Sequence, residues 1–443
     1  MRILLIGLIA IIGTFGAAAG RAQVFNPTSF TLANGLQVVV VENHRAPIVS
    51  HMVWYRVGAA DEPPGKSGIA HFLEHLMFKG TQILQPGEFS RTVARNGGRD
   101  NAFTSWDYTG YVQTVARDRL DLVMRMEADR MANLVLTDAV VLPERDVILE
   151  ERRQVVDNVP GARLREQMNA AMFLNHPYGR PIIGWEHEMR GLTRDDAIAW
   201  YRTWYAPNNA VLIVAGDVTA DEVRGLAQTH YGPVAAKPVP ARMRPAEPPP
   251  QAARRVVLKD ERVRQQSWSR SYLAPSLARG DRAQAYPLQV LADILGGQSG
   301  RLYRSLVVER QLATSAGAAY DSDAVDLSSF AVWATPRPGV TIEAVERAME
   351  EELTALLRDG VQVEEVERAR TRLGAASVLA RDALGTAPRV IGAALMSGMS
   401  IDELEAWPRR IADVTADQVT AAARAVFDEA RSVTGYLLQK PPS

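Results

Sequence analysis

Two stretches of the chain carry the same succession of hydrophobic patterns. In the first, Leu36 to Glu42 and Val49 to Val57 read as strands, the earlier one entered through an Asn34-Gly35 turn. Helical periodicity follows over Ser67 to Lys79 and over Phe89 to Ala94, the latter stopping at Gly97-Gly98. Two more strands, 100–105 and 108–115, lead into long helical stretches at 117–134 and 138–157. The order then returns. Strands near 255–259 and 266–274 precede helices near 283–297 and 300–308, strands near 312–320 and 327–335, and helices near 341–358 and 363–380. Between the two stretches, Pro233 to Pro250 gathers seven of the 25 prolines into eighteen residues with few apolar partners, a composition that stays extended. The pattern predicts an α+β fold of two similar α/β-roll units, residues 23–232 and 255–443, joined by a Pro-rich linker at 233–254. Each unit is expected to be an antiparallel sheet covered by helices on one face.

Residues 1–22 stand apart from this plan. A basic start, an apolar run of 17 residues from Ile3 to Ala19 and small residues offering cleavage after Ala19 or Ala22 read as a secretory signal peptide. In a bacterial-type cell the expected destination is the periplasm, with no stable membrane span once the signal is removed. An uncleaved leader would instead anchor the chain, since its apolar run approaches the ~20 residues a spanning helix needs.

Composition then narrows the chemistry. With 47% hydrophobic and 23% charged residues in 443, the chain has globular values and belongs to neither the disordered nor the multi-span membrane class. Its formal charge of −1 supplies no basic field for collecting phosphates, so nucleic acid is not an expected partner. The absence of cysteine excludes disulfides, thiolate metal sites and cysteine nucleophiles, leaving His, Asp and Glu as the donors for any metal.

Such donors occur in two helices. His71 and His75 lie one turn apart with Glu74 between them on the same side, opposite Ile69, Leu73, Leu76 and Met77. The arrangement suits a metal grip, and equally an amphipathic helix with a solvated polar face, although Phe78 interrupts that face. In the helix at 138–157, Glu144 and Glu151 are seven residues apart and share a stripe with Val147, Ile148 and Val155, while Glu150 points elsewhere. Carboxylates on an apolar stripe require a positive partner, which a metal or an internal arginine would supply.

Together these residues resemble a known family. His71-Phe72-Leu73-Glu74-His75 has the H-x-x-E-H form of inverzincins, and Gly68 to Thr81 followed by Glu144 to Glu151 resembles the pitrilysin and insulinase peptidases, especially the mitochondrial processing peptidase type. Further likeness lies in Asn101-Ala102-Phe103-Thr104, His176-Pro177-Tyr178, Tyr205 to Asn209 and Ala215-Gly216-Asp217. The resemblance implies one Zn²⁺ per chain held by His71, His75 and Glu151, the last 76 positions beyond His75. It implies Glu74 as general base in peptide-bond hydrolysis, Glu144 as a carboxylate supporting the ligands, and Asn101, Ala102, Phe103 and Thr104 as a strand edge that takes short or unfolded peptides by backbone pairing. From the residues alone, Asn101 also reads as a strand-end cap.

The second stretch departs from the pattern. Val290 and Ile294 fall where the histidines would stand, and Arg372 falls near the place of Glu151. In self-sufficient relatives this half supplies an arginine and, seven residues on, a tyrosine to hold the substrate carbonyl; Val307 and Thr314 stand at those places here, unless Arg304 or Arg310 and Tyr320 serve instead. The resemblance therefore implies a catalytic subunit completed by a related partner chain in a heterodimer, with a homodimer as the other assembly. An inactive, structural zinc-binding homologue is the alternative function.

Overall fold

The computed structural model describes residues 24–440, so the leader lies outside the described residues. In the first half, strands β1 (Thr28–Thr31), β2 (Gln37–Glu42), β3 (Ile48–Tyr55), β4 (Arg99–Thr104), β5 (Thr109–Ala116) and β6 (Ala210–Gly216) form one sheet in the order β1-β2-β6-β3-β5-β4. In the second, β7 (Arg254–Asp260), β8 (Ser267–Ala274), β9 (Ala313–Tyr320), β10 (Ser328–Pro336) and β11 (Ser432–Gln439) run in the order β7-β11-β8-β10-β9. The two sheets share a connectivity. Each is antiparallel apart from one parallel pair, β2 with β6 and β7 with β11. The starts of β3 and β8, and of β5 and β10, are offset by the same 219 positions.

The two-unit α+β plan matches the sequence pattern, and the central strands are what the pattern left unread. β6 and β11 are both inserted in mid-sheet from far along the chain, and β6 is buried at every residue, so it carries no alternation to betray it.

Helices α1 (Ile69–Leu76), α2 (Glu88–Arg95), α3 (Leu120–Asn133) and α4 (Asp138–Arg152) lie with the first sheet and share its main core. Inside that core the Arg130 guanidinium pairs with Glu127 and is ringed by Phe78, Phe89 and Tyr111, at 4.8, 4.2 and 4.4 Å from their centroids. α1 ends at Leu76, so Phe78 lies in the turn beyond it rather than on its polar side, and its ring belongs to this cation cage.

Each sheet is covered on both faces rather than one. The second face of the first sheet, with Met52, Trp54, Val211 and Ile213, receives the helix Thr386–Met396 from the other half. Reciprocally, helix α5 (Pro160–Met172) leaves the first half and lays Leu164, Met168 and Met172 against Leu273 and Val433 of the second sheet. A sheet buried on one side only by its own helices would expose the apolar residues of its other side, and the exchange removes that exposure.

The Pro-rich segment has no regular secondary structure, yet it is fastened along its length. Arg242 and Arg244 both reach the buried Asp61, at 2.8 and 3.0 Å, and Arg244 also meets Asp107 at 3.0 Å. Glu247 accepts the backbone N–H groups of Leu174, Asn175 and His176. The linker is therefore a strap across the first half.

The exchanged helix fits against Trp54 only because residue 392 is glycine: a Cβ there would meet the indole at 2.1 Å. The ring is held edge-on by Phe103 and Tyr108, with centroids 4.9 and 5.0 Å away. Gly392→Ala gains up to ~1 kcal/mol of helix propensity, but overpacking a closed site costs ~1–3 kcal/mol. The urea midpoint is expected to fall; an unchanged or higher midpoint would mean that the indole has room to shift.

Candidate metal centre

The site begins with the entry into α1. Gly68, at φ +88°, precedes the helix, and a side chain there would strike the Ile183 carbonyl at 2.7 Å. The buried Glu62 carboxyl accepts the N–H groups of Gly68 and Ala70, both at 3.0 Å, satisfying donors that a helix start leaves open. Burial pushes this carboxyl up to about 8 against those two bonds.

One turn further, the imidazoles of His71 and His75 stand edge to face, with centroids 4.8 Å apart. Helix α4 crosses beside α1 and brings its last turn to them. Glu151 Oε2 lies 3.6 Å from His71 Nε2 and 3.3 Å from His75 Nε2. All three ligand atoms fall within 4.8 Å of one another. Zinc bond lengths of about 2.0–2.2 Å at tetrahedral angles set ligand atoms about 3.3–3.6 Å apart, and the two separations from Glu151 fall in that range.

The surrounding residues fix the ring orientation. His75 Nδ1–H donates to Glu144 Oε1 at 3.0 Å, because a carboxylate only accepts, and this leaves Nε2 turned toward Glu151. Lys79 Nζ sits 2.5 Å from the other oxygen of Glu144. Burial opposes a charge on His75, but the hydrogen bonds to Glu144 and Glu151 outweigh it and raise the ring to about 9. Burial and the neighbouring His75 hold His71 down to about 4.

Glu74 lies beside this group, 8% exposed, and accepts the Thr104 hydroxyl at 2.6 Å. Burial lifts its carboxyl to about 7 against that bond. Thr104 ends β4, the outermost strand of its sheet, which pairs with β5 on one side and with no other strand among the described residues. Asn101 is exposed on that strand and Ala102 packs toward the main core. Phe103 turns the other way, against Trp54 and Tyr108, with Arg389 above its ring. The Phe103 side chain is thus part of the contact between the halves, and only its backbone belongs to the free edge.

The apolar stripe read on α4 divides. Ile148 and Glu144 are buried, but Val147 and Val155 are each 49% exposed and Glu151 is half-exposed. The helix packs through one narrow side, and beyond Arg152 it widens into a π-turn over Arg153–Asp157, which carries Val155 outward. Glu150 faces solvent and bonds to Arg153 and Gln154. Lys79 and the Thr104 hydroxyl were not read as partners of the glutamates, although Lys79 lies one turn beyond His75, the spacing that puts it on the same side.

In the second half, Val290 and Ile294 are buried. Arg372 pairs with Asp293, the residue 219 positions after Glu74. Val307 is buried, and Thr314 bonds to Gln265 at 2.9 Å. Of the other candidates, Tyr320 donates to the Pro275 carbonyl at 2.6 Å and Arg310 pairs with Glu351, while Arg304 is exposed, 3.5 Å from Glu309.

Residues 37–186, which hold the whole three-residue cluster, match the family described as Insulinase (Peptidase family M16), and residues 191–373 match the Peptidase M16 inactive domain. The chain is 30% identical over 442 residues to the zinc protease PqqE of Helicobacter pylori, covering 98% of each chain. It is 32% identical to an uncharacterized zinc protease of Streptomyces coelicolor, over 93% of this chain and 90% of that one. In fold it resembles the crystal structure of a protease from Helicobacter pylori, with a TM-score of 0.87, 29% identity and 93% and 99% of the two chains covered. It also resembles the periplasmic protease PqqL from Escherichia coli at a TM-score of 0.81 and 20% identity, over 94% of this chain but 48% of that one. The chain belongs to the M16, or insulinase, peptidase family.

Proposed function

We propose that this chain is the catalytic subunit of a zinc-dependent endopeptidase acting on short or unfolded peptides, with one zinc held by His71, His75 and Glu151. The observation that carries the reading is the convergence of two imidazole nitrogens and a carboxylate oxygen at metal-ligand spacing beside a buried glutamate and an open strand edge. Zinc in such a site supplies a Lewis acid that polarises a peptide carbonyl and makes water acidic near neutral pH.

The chain's own residues do the rest. Glu74 takes a proton from the attacking water and returns it to the leaving amine, its free oxygen aimed by the Thr104 hydroxyl bond on the other. Glu144 keeps the proton of His75 on Nδ1, and Lys79 keeps Glu144 ionised. The free side of β4 holds substrate as an added strand through backbone hydrogen bonds, which select for extended chain rather than for particular side chains.

Completion by a related partner chain is part of the proposal. It is supported by the engagement of Arg310 and Tyr320 elsewhere, and by a fold likeness that spans only half of the longer PqqL chain.

Glu74→Gln is expected to retain one zinc per chain while peptide hydrolysis falls about 100- to 10,000-fold; a zinc-loaded variant cutting at the wild-type rate would sink the mechanism. Lys79→Met is expected to lower activity about 10-fold or more, read from kcat on a fluorogenic peptide. The purified chain alone should cleave weakly, and a related chain bearing the Arg and Tyr should raise kcat/KM about 100-fold or more. Full activity from a monomer, with mass checked by light scattering, would remove the partner from the account.

A further inference from the structure

Glu151 is placed in the last regular turn of α4, where a helix end tends to fray, and the π-turn that follows widens the backbone rather than closing it. The next residue, Arg152, is 5% exposed. Its guanidinium forks onto the Glu166 carboxylate of α5, Nη1 to Oε2 at 2.8 Å and Nη2 to Oε1 at 3.0 Å. Nη1 also donates to the Gly184 carbonyl at 2.8 Å.

Gly184 connects this group to the other ligand helix. A Cβ at 184 would meet the Ser67 carbonyl at 2.6 Å and Gly68 Cα and N at 2.7 Å, so the two glycine backbones press together at the entry to α1. One guanidinium therefore touches the loop that abuts the start of α1 and the helix that follows α4. Bidentate, charge-assisted bonds of this kind fix direction as well as distance, and lysine cannot copy the fork.

We propose that Arg152, through Glu166 and the Gly184 carbonyl, is a positioning residue that sets the separation of the two helices presenting His71, His75 and Glu151. The proposal rests on reading those three side chains as metal ligands. Coordination tolerates departures of about 0.2 Å, so a loosened end of α4 would cost affinity long before it unfolded anything. Sequence alone gave no reason to single out Arg152, one of several charged residues in the Glu150 to Arg153 run.

The test uses the full chain and three measurements: zinc affinity by competition with a chromophoric chelator, the visible spectrum of the cobalt-substituted protein, and urea unfolding of the metal-free protein. Arg152→Met is expected to weaken zinc binding about 10- to 100-fold and to reduce the intensity of the tetrahedral cobalt bands. Glu166→Gln should move both in the same direction by less, and Arg152→Lys should restore only part of the Arg152→Met loss. A bond that merely stabilises the fold would lower the urea midpoint and leave the cobalt spectrum of the folded protein alone. Should Arg152→Met fail to fold, Glu166→Gln decides. Zinc affinities within about twofold of wild type and unaltered cobalt spectra in the folded variants, with His71→Ala losing metal, would overturn the positioning role alone. A wild-type chain that takes up neither zinc nor cobalt would overturn the metal-site reading and this proposal with it.

Discussion

Two imidazole nitrogens and a carboxylate oxygen brought within 4.8 Å of one another need a shared proton or cation to satisfy their lone pairs. The demand shapes what surrounds it. Glu144 and Lys79 fix which nitrogen of His75 is turned inward, and Glu62 with Gly68 fixes where α1 begins. The hydrogen bonds to Glu144 and Glu151 hold the His75 ring above the usual imidazole range against its burial.

Rigidity around the cluster comes from the way the halves cover each other. Helix Thr386–Met396 lies across the first sheet and α5 across the second, so neither half has a complete core by itself. The crossing requires close approach at chosen points. Gly392 admits Trp54, and Gly435 on β11 admits Met168, whose sulfur would lie 2.2 Å from a Cβ there. The strap from Arg242 to Glu247 reinforces the arrangement through Asp61 and Asp107, two acids 2% and 5% exposed in their side chains. Buried acids of this kind need their arginines, which is why a proline-rich segment without regular secondary structure still follows a defined path.

How much of this was legible follows from the range of the interactions. The paired strands and the helix carrying His71 to His75 are written in short-period patterns, whereas the approach of Glu151 was implied by the family resemblance, since the stripe on α4 alone would have suited an internal arginine equally well. The stripe on α4 misled because periodicity gives the side of a helix but not how wide its contact is: Ile148 is covered, while Val147 and Val155, equally apolar, are not. The exchange of α5 and Thr386–Met396 was not legible, since an amphipathic helix does not name the sheet it will cover. Phe103 was placed on the right strand, but the direction of its ring depended on Trp54, which belongs to the contact between the halves.

The second half shows what the same backbone does without those donors. At the positions of His71 and His75 stand Val290 and Ile294, both buried in an apolar core, so the nitrogen lone pairs are gone. What remains is Asp293, in the place of Glu74, and the nearby Arg372 donates to it from Nε at 2.9 Å. A guanidinium tethered to the chain there supplies the positive charge, and the sheet order and the helix beside it are retained. The architecture therefore closes around this place with no metal ligands at all. In the first half, two histidines and a half-exposed glutamate at the same location are a poorer solution for packing than valine, isoleucine and an ion pair. Their presence is accounted for by the chemistry of the open side of the cluster, next to Glu74 and the free edge of β4, rather than by any need of the fold.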